Sequence, residues 1–171
     1  MSGPRILVLG GGQLARMMLP AAARLDLSLT FLDPDPECPV AQQAPHFIQA
    51  DFRDPAAVLD AGKDADLVTL EIEHVHTGAL GELESSGTAV YPSSTTVTVI
   101  NDKLAQRRAL ETEGLPQPRF VELPDGASPA SLQDDIPLPA VQKLRFGGYD
   151  GRGVARVSPT AASYPLSGAC L

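Results

Sequence analysis

The chain has 171 residues, 13 of them basic and 21 acidic, for a formal net charge of −8, with 5% aromatic residues and no tryptophan. That acidity repels phosphate backbones and anionic lipids, and the few aromatics leave little for base stacking, so neither nucleic acid nor membrane is an expected partner. No apolar run nears the roughly 20 residues of a membrane span, the start lacks a signal-peptide layout, and Cys38 and Cys170 lie far apart without metal-ligand spacing, so the expected setting is the cytoplasm.

Arg5 to Leu9 is a run of the kind buried in a parallel sheet. It enters Gly10-Gly11-Gly12-Gln13, after which apolar residues recur at helical spacing through Leu25. Strand, glycine turn and helix open a Rossmann-like unit, whose helix N-terminus can face an anion. A second strand, Ser28 to Leu32, ends at Asp33, where a dinucleotide-binding fold places its ribose-binding acid. An NAD-binding oxidoreductase domain is therefore one reading of this half. Pro34, Pro36 and Pro39 impose an extended connection. His46 to Ala50 reads as a strand, and Asp54 to Gly62 as a helix capped by Asp54 with Pro55 at its first position.

Leu67 to Leu70 is the next strand, and it carries Glu71 and Glu73 to a carboxyl end, where open α/β sheets bind ligands. Alternation would turn both carboxylates to one side, so they either share a site or divide into a helix cap and a solvated neighbour. His74 and His76 have no third ligand beside them and are read as helix-start structure rather than a metal site. Thr77 to Ser86 reads as a helix stopped by Gly87, and Thr88 to Tyr91 as a strand. Pro92-Ser93 caps a helix expected to continue through Asn101 to Leu110. Gly114-Leu-Pro-Gln-Pro118 is a stiff connector.

Arg119 to Leu123 reads as a strand, Ala127 to Gln133 as a short helix, and Pro139 to Leu144 as a strand carrying Lys143. Four glycines within Gly147 to Gly153 then lead into a strand from Val154 to Val157. A glycine-rich hairpin can lay amide donors on a polyphosphate, and Lys143, Arg145 and Arg152 gather positive charge there. The alternative is a long hairpin whose glycines serve only the turn. A Walker-type loop is excluded, because no glycine, lysine and Ser/Thr order precedes a helix.

GGYDGRG after Lys143 and Arg145, together with GGGQLARM, LDPDPECPVAQQA, VTLEIEHV and YPSS followed by NDKLAQRR and LPQP, resembles the 5-(carboxyamino)imidazole ribonucleotide synthase family of ATP-grasp ligases. The resemblance covers nearly the whole chain. It implies an α/β fold: a Rossmann-like pre-ATP-grasp parallel sheet with helices on both faces over residues 1–100, a connecting helix and linker over 101–118, and part of the first ATP-grasp lobe over 119–171. It also implies ATP-driven activation of bicarbonate to carboxyphosphate, then carboxylation of 5-aminoimidazole ribonucleotide.

By the same resemblance Lys103, Lys143, Gly148, Tyr149, Asp150, Gly151, Arg152, Gly153 and Val154 are expected to contact ATP. Gln13, Glu73, Tyr149, Asp150 and Arg152 are expected to contact the ribonucleotide, with Glu71 bordering the same pocket. This chain departs from the family pattern at Ala15 (usually glycine), Lys103 (commonly arginine) and Val154 (usually glutamine). Lysine keeps the charge at 103 but loses the planar fork. The family continues past Leu171, where its magnesium-binding acids are expected, so the 171 residues alone are expected to bind ATP at most weakly, to hold no cofactor tightly, magnesium included, and not to turn over. A homodimer is compatible with this reading. The rival readings are the NAD-binding domain and a non-catalytic association domain.

Overall fold

The computed structural model describes residues 3–123, 135–148, 151–161 and 166. The helix expected over Ala127–Gln133, and Tyr149, Asp150 and Cys170, lie outside the described residues. The chain divides into two compact units, Met1–Thr98 and Val99–Leu171.

The first unit is a five-stranded, wholly parallel sheet in the order β3-β2-β1-β4-β5. Its strands are β1 Arg5–Leu9, β2 Ser28–Asp33, β3 His46–Gln49, β4 Leu67–Leu70 and β5 Ala89–Val90. Because side chains alternate across a strand, β1 sends Leu7 and Leu9 to one face and Val8 to the other. On the first face they meet Val58 of helix α2 (Pro55–Gly62), Leu80 and Leu83 of α3 (Thr77–Ser85), and Val97 of α4 (Ser94–Asn101). On the second, Val8 and Phe31 pack against Ala15 and Ala22 of α1 (Gln13–Arg24) and against Cys38 and Val40 of the following loop. Helices therefore cover both faces, which is why β1 and β2 read as nearly continuous apolar runs.

The helix starts follow local chemistry. Asp54 caps α2 by accepting the Ala56 N–H at 3.0 Å. His76 caps α3, its Nδ1 accepting the Ala79 N–H at 3.0 Å, so it is part of the helix start. The Ser93 hydroxyl accepts the Thr96 N–H at 3.2 Å at the head of α4. Among the described residues, no helix is long and apolar enough to cross a membrane.

The second unit differs from expectation in two places. The helix read through Asn101 to Leu110 is broken: α4 ends at Asn101, Asp102 is extended at φ −105°, ψ 104°, and α5 spans Lys103–Thr112. The break arises because the Asp102 carboxylate caps α5, accepting the Leu104 N–H at 3.0 Å, a bond that mid-helix geometry would forbid. Among the described residues, Arg119 to Leu123 forms no strand, apart from a single bridging residue at Leu123. Strand character needs a partner ladder, and among the described residues this unit's sheet has only two strands, β6 Ala140–Lys143 and β7 Val154–Val157.

These two run antiparallel, with Lys143 opposite Val154 and Ala140 opposite Val157. Gln142, on β6, is buried at 2% exposure. Its amide is satisfied by the backbone of Leu166, donating to the carbonyl and accepting from the N–H at 2.9 Å each. The described piece of tail is thereby tied to β6.

Candidate functional site

In the sheet order of the first unit, β1 lies between β2, reached through α1, and β4, reached from the other side. That is the switch point at which open α/β sheets leave a crevice at their carboxyl ends. The ends of β1 and β4 meet there: the Gly10 N–H donates to Leu32 O at 2.9 Å and the Glu71 N–H to Leu9 O at 2.8 Å. Gly10 turns with φ +104°, and a Cβ on it would come within 2.8 Å of Glu71 Oε2. A Cβ on Gly12 would lie 2.5 Å from Glu71 Oε1. The glycines thus let the Glu71 carboxylate sit against the turn that opens α1. Gln13, the exposed first residue of that helix, follows directly.

Glu73 behaves differently from Glu71. β4 stops at Leu70, so the two acids stand in an irregular segment where strand alternation no longer governs direction. Glu73 lies 3.6 Å from His74 Nδ1, and its carbonyl accepts the Val75 N–H at 2.8 Å. The structure brings Glu71 to the glycine turn and leaves Glu73 beside His74.

Asp33, the acid that favoured a dinucleotide, is engaged inside the fold. One oxygen accepts the Gly11 N–H at 2.7 Å and the other accepts the Asp35 N–H at 2.9 Å. The Val40 N–H then donates to Gly11 O at 3.1 Å, folding the loop after β2 onto the turn. A ribose-binding acid has to present its oxygens to a ligand; this one is oriented by the backbone it pins.

The second unit carries the glycine-rich hairpin. Leu144 N–H donates to Gly153 O at 2.8 Å, continuing the ladder one pair past Lys143 and Val154. Gly147, Gly151 and Gly153 have φ of +71°, +79° and +69°, a conformation open to glycine and costly for other residues. Among the described residues, a Cβ on Gly147 or Gly151 would meet nothing within 4 Å, so they leave the approach to the backbone there open. Lys103 Nζ donates to Gly148 O at 3.3 Å, placing a second ammonium at the root of the loop. Beside the hairpin is a cavity of about 660 Å³ lined by Lys143 and Val154 together with Phe120, Val121, Leu138 and Arg107. An apolar pocket of this size bounded by a lysine, next to a glycine-rich turn, can take a flat ring with a polyphosphate attached. Lys103, Lys143, Gly148, Gly151, Gly153 and Val154 are thus gathered on one hairpin and one helix start; Arg152 is on the same turn.

Arg145 departs from its expected place among the phosphate-facing cations. Its Nε and one terminal nitrogen donate to the two oxygens of Asp102 at 2.8 and 2.7 Å, and its other terminal nitrogen donates to Glu122 at 2.9 Å. Sequence reading missed Asp102 and Glu122 as its partners. The signal for Asp102 was present, since an Asn-Asp pair inside a helical pattern is a capping pair.

The hydrogen-bonded Arg145 guanidinium holds the Asp102 carboxyl below its ordinary 3.8, with backbone N–H donors adding to the effect and burial opposing it. A carboxyl whose folded value is depressed stabilises the fold above its ordinary value, and that stabilisation is lost as pH falls through the folded value. The stability difference between wild type and Asp102→Asn in urea unfolding is therefore expected to be full at about pH 7 and to shrink below about pH 4. A difference independent of pH would contradict the pairing.

Residues 4–101 match the family model described as the ribonucleotide synthetase preATP-grasp domain. The chain is 38% identical over 146 residues to the N5-carboxyaminoimidazole ribonucleotide synthase of Synechococcus elongatus, an alignment covering 85% of this chain and 37% of that protein. Its fold superimposes with a TM-score of 0.84 and 34% identity on the crystal structure of carboxyaminoimidazole ribonucleotide synthase from Aspergillus clavatus complexed with ATP, covering 92% of this chain and 42% of that one. With the Aspergillus clavatus enzyme in complex with ADP and 5-aminoimidazole ribonucleotide, the TM-score is 0.77 at 32% identity, covering 92% and 41%. The chain spans about a quarter to two fifths of the length of the curated relatives it matches. With the model matched over more than half of its length, and with the parallel sheet and glycine turn in place, the chain belongs to the ribonucleotide synthetase preATP-grasp family.

Proposed function

We propose that this chain supplies the ribonucleotide-facing domain and the ATP-covering hairpin of a ligase that carboxylates 5-aminoimidazole ribonucleotide with ATP and bicarbonate, through carboxyphosphate. The observation that carries this reading is the Lys143–Val154 hairpin, with its left-handed glycines, its apolar cavity and Lys103 at its root. It occurs in a chain whose fold matches a relative described as complexed with ATP.

In this reading the adenine ring enters the cavity beside Lys143, and the phosphates lie on the N–H groups of Gly148 to Val154. Lys103 and Lys143 balance the charge that builds on the transferred phosphoryl group, which is how phosphoryl-transfer sites lower their barrier. Val154 contributes its backbone only. Gln13 and Glu73 of the first unit, with Tyr149, Asp150 and Arg152 of the loop, are proposed to contact the ribonucleotide. Magnesium, when bound, would supply positive charge that offsets the phosphates; among the described residues no group of three or more His, Cys, Asp or Glu side chains is placed to hold a metal. A cytoplasmic setting and a homodimer belong to the same proposal.

The test is calorimetric titration of the chain with ATP, with 5-aminoimidazole ribonucleotide and with NADH. Saturable heats for the first two and none for NADH are expected. Saturable NADH binding, with none for ATP, would overturn the proposal in favour of an oxidoreductase domain.

A further inference from the structure

We infer that Arg145, clamped between Asp102 and Glu122, is a positioning residue of the nucleotide site: it holds the head of α5, and with it Lys103, against the glycine-rich hairpin without itself touching phosphate. The inference rests on the nucleotide reading above and names a component that reading does not contain.

The geometry is a closed set of bonds between two short stretches. Asp102 takes the Arg145 fork through both oxygens while also capping α5. The Lys103 N–H donates to Arg145 O at 3.0 Å, and the Lys103 ammonium donates to Gly148 O at 3.3 Å. Residues 102 and 103 are thus bound at three points to residues 145–148. The third Arg145 nitrogen reaches Glu122, whose other oxygen accepts from Arg108 of α5 at 3.0 Å, tying in the 119–123 segment. The guanidinium also lies 5.2 Å from the centre of the Phe146 ring.

Two cations and two carboxylates make up this network, so it adds no net charge to the phosphate side. The Arg145 and Asp102 side chains are only 26% and 14% exposed, and a fork-to-carboxylate pair shielded in this way holds geometry as well as energy. A lysine at 145 would keep the charge and lose the two-point grip. Lys103 already lacks the fork common at its position in the resembled family, so its aim depends on what anchors its backbone.

The experiment measures ATP affinity and amide hydrogen exchange in wild type, Asp102→Asn and Arg145→Lys chains. Asparagine still caps α5, so the helix start survives while the ion pair is lost. The clamp predicts that both variants bind ATP about tenfold more weakly and that the Lys103 amide exchanges about tenfold faster, with the β1 and β4 amides unchanged. If Arg145 instead met phosphate directly, removing the negative charge of Asp102 would tighten ATP binding, which overturns the inference. A lowered unfolding midpoint with affinity and Lys103 exchange unchanged would also overturn it, as a merely structural role. If wild type shows no saturable ATP binding, the nucleotide reading fails, whereas the clamp itself is decided by Lys103 exchange: faster in the variants upholds it, unchanged overturns it.

Discussion

Lys143→Ala is expected to weaken ATP binding by about tenfold to a hundredfold while leaving the unfolding midpoint nearly unchanged. Lys143 ends β6 opposite Val154, where the ladder gives way to the glycine turn, and its side chain borders the cavity. A charge-assisted contact to a phosphate contributes about 1.5–3 kcal/mol, which sets the range. The fold should not need the ammonium, because the hairpin is held by backbone pairing and by the Gln142 amide. Thermal unfolding and ATP titration on the same preparation check both halves. Unchanged affinity would return the hairpin to a turn that merely needs its glycines.

Gly11→Val is expected to destabilise the first unit by about 3 kcal/mol, the upper end of the usual range for an overpacked core. Even a Cβ at Gly11 would lie 2.5 Å from Cys38 Sγ, 3.0 Å from Val40 Cγ1 and 3.1 Å from Asp33 Cβ. Cys38 and Val40 are buried, so neither can swing away cheaply. Moving them would also strain the Gly11 N–H bond to Asp33 and the Val40 N–H bond to Gly11. Denaturant unfolding measures the loss, and Gly11→Ala combined with Cys38→Ala should recover part of what Gly11→Ala alone costs, because the closest atom is then gone. A wild-type midpoint for Gly11→Val would mean that the loop after β2 does not close on the turn as described.

Where a structural element depends on its own residues, it could be read directly. β1, β4 and β7 have the bounds their apolar runs suggest, and Asp54 with Pro55 marks the start of α2. Several of the misreadings turn on a partner distant in sequence. Arg119 to Leu123 has strand-like residues but, among the described residues, almost no ladder to join. The α4–α5 break is set by an Asp102 carboxylate whose other partner, Arg145, lies 43 residues on. Arg145 reads as a phosphate ligand until Asp102 and Glu122 are seen to hold it, and Asp33 reads as a ribose ligand until Gly11 and Asp35 are seen to bind it. Glu71 and Glu73 were grouped by strand alternation, which ends with β4 at Leu70. In the candidate site, residue types were legible because glycine and lysine beside an apolar run carry their chemistry with them. Which cations are held by carboxylates was not legible, since that depends on the packing of α5.

The most direct test is an amide-resolved NMR titration of the isotope-labelled chain with ATP. The account predicts saturable shifts concentrated at Lys103, Lys143–Leu144, Gly147–Gly148 and Gly151–Val154, weakened in Lys143→Ala. Shifts confined to Gly10–Gln13 and Asp33, or saturable shifts there with NADH in place of ATP, would contradict it.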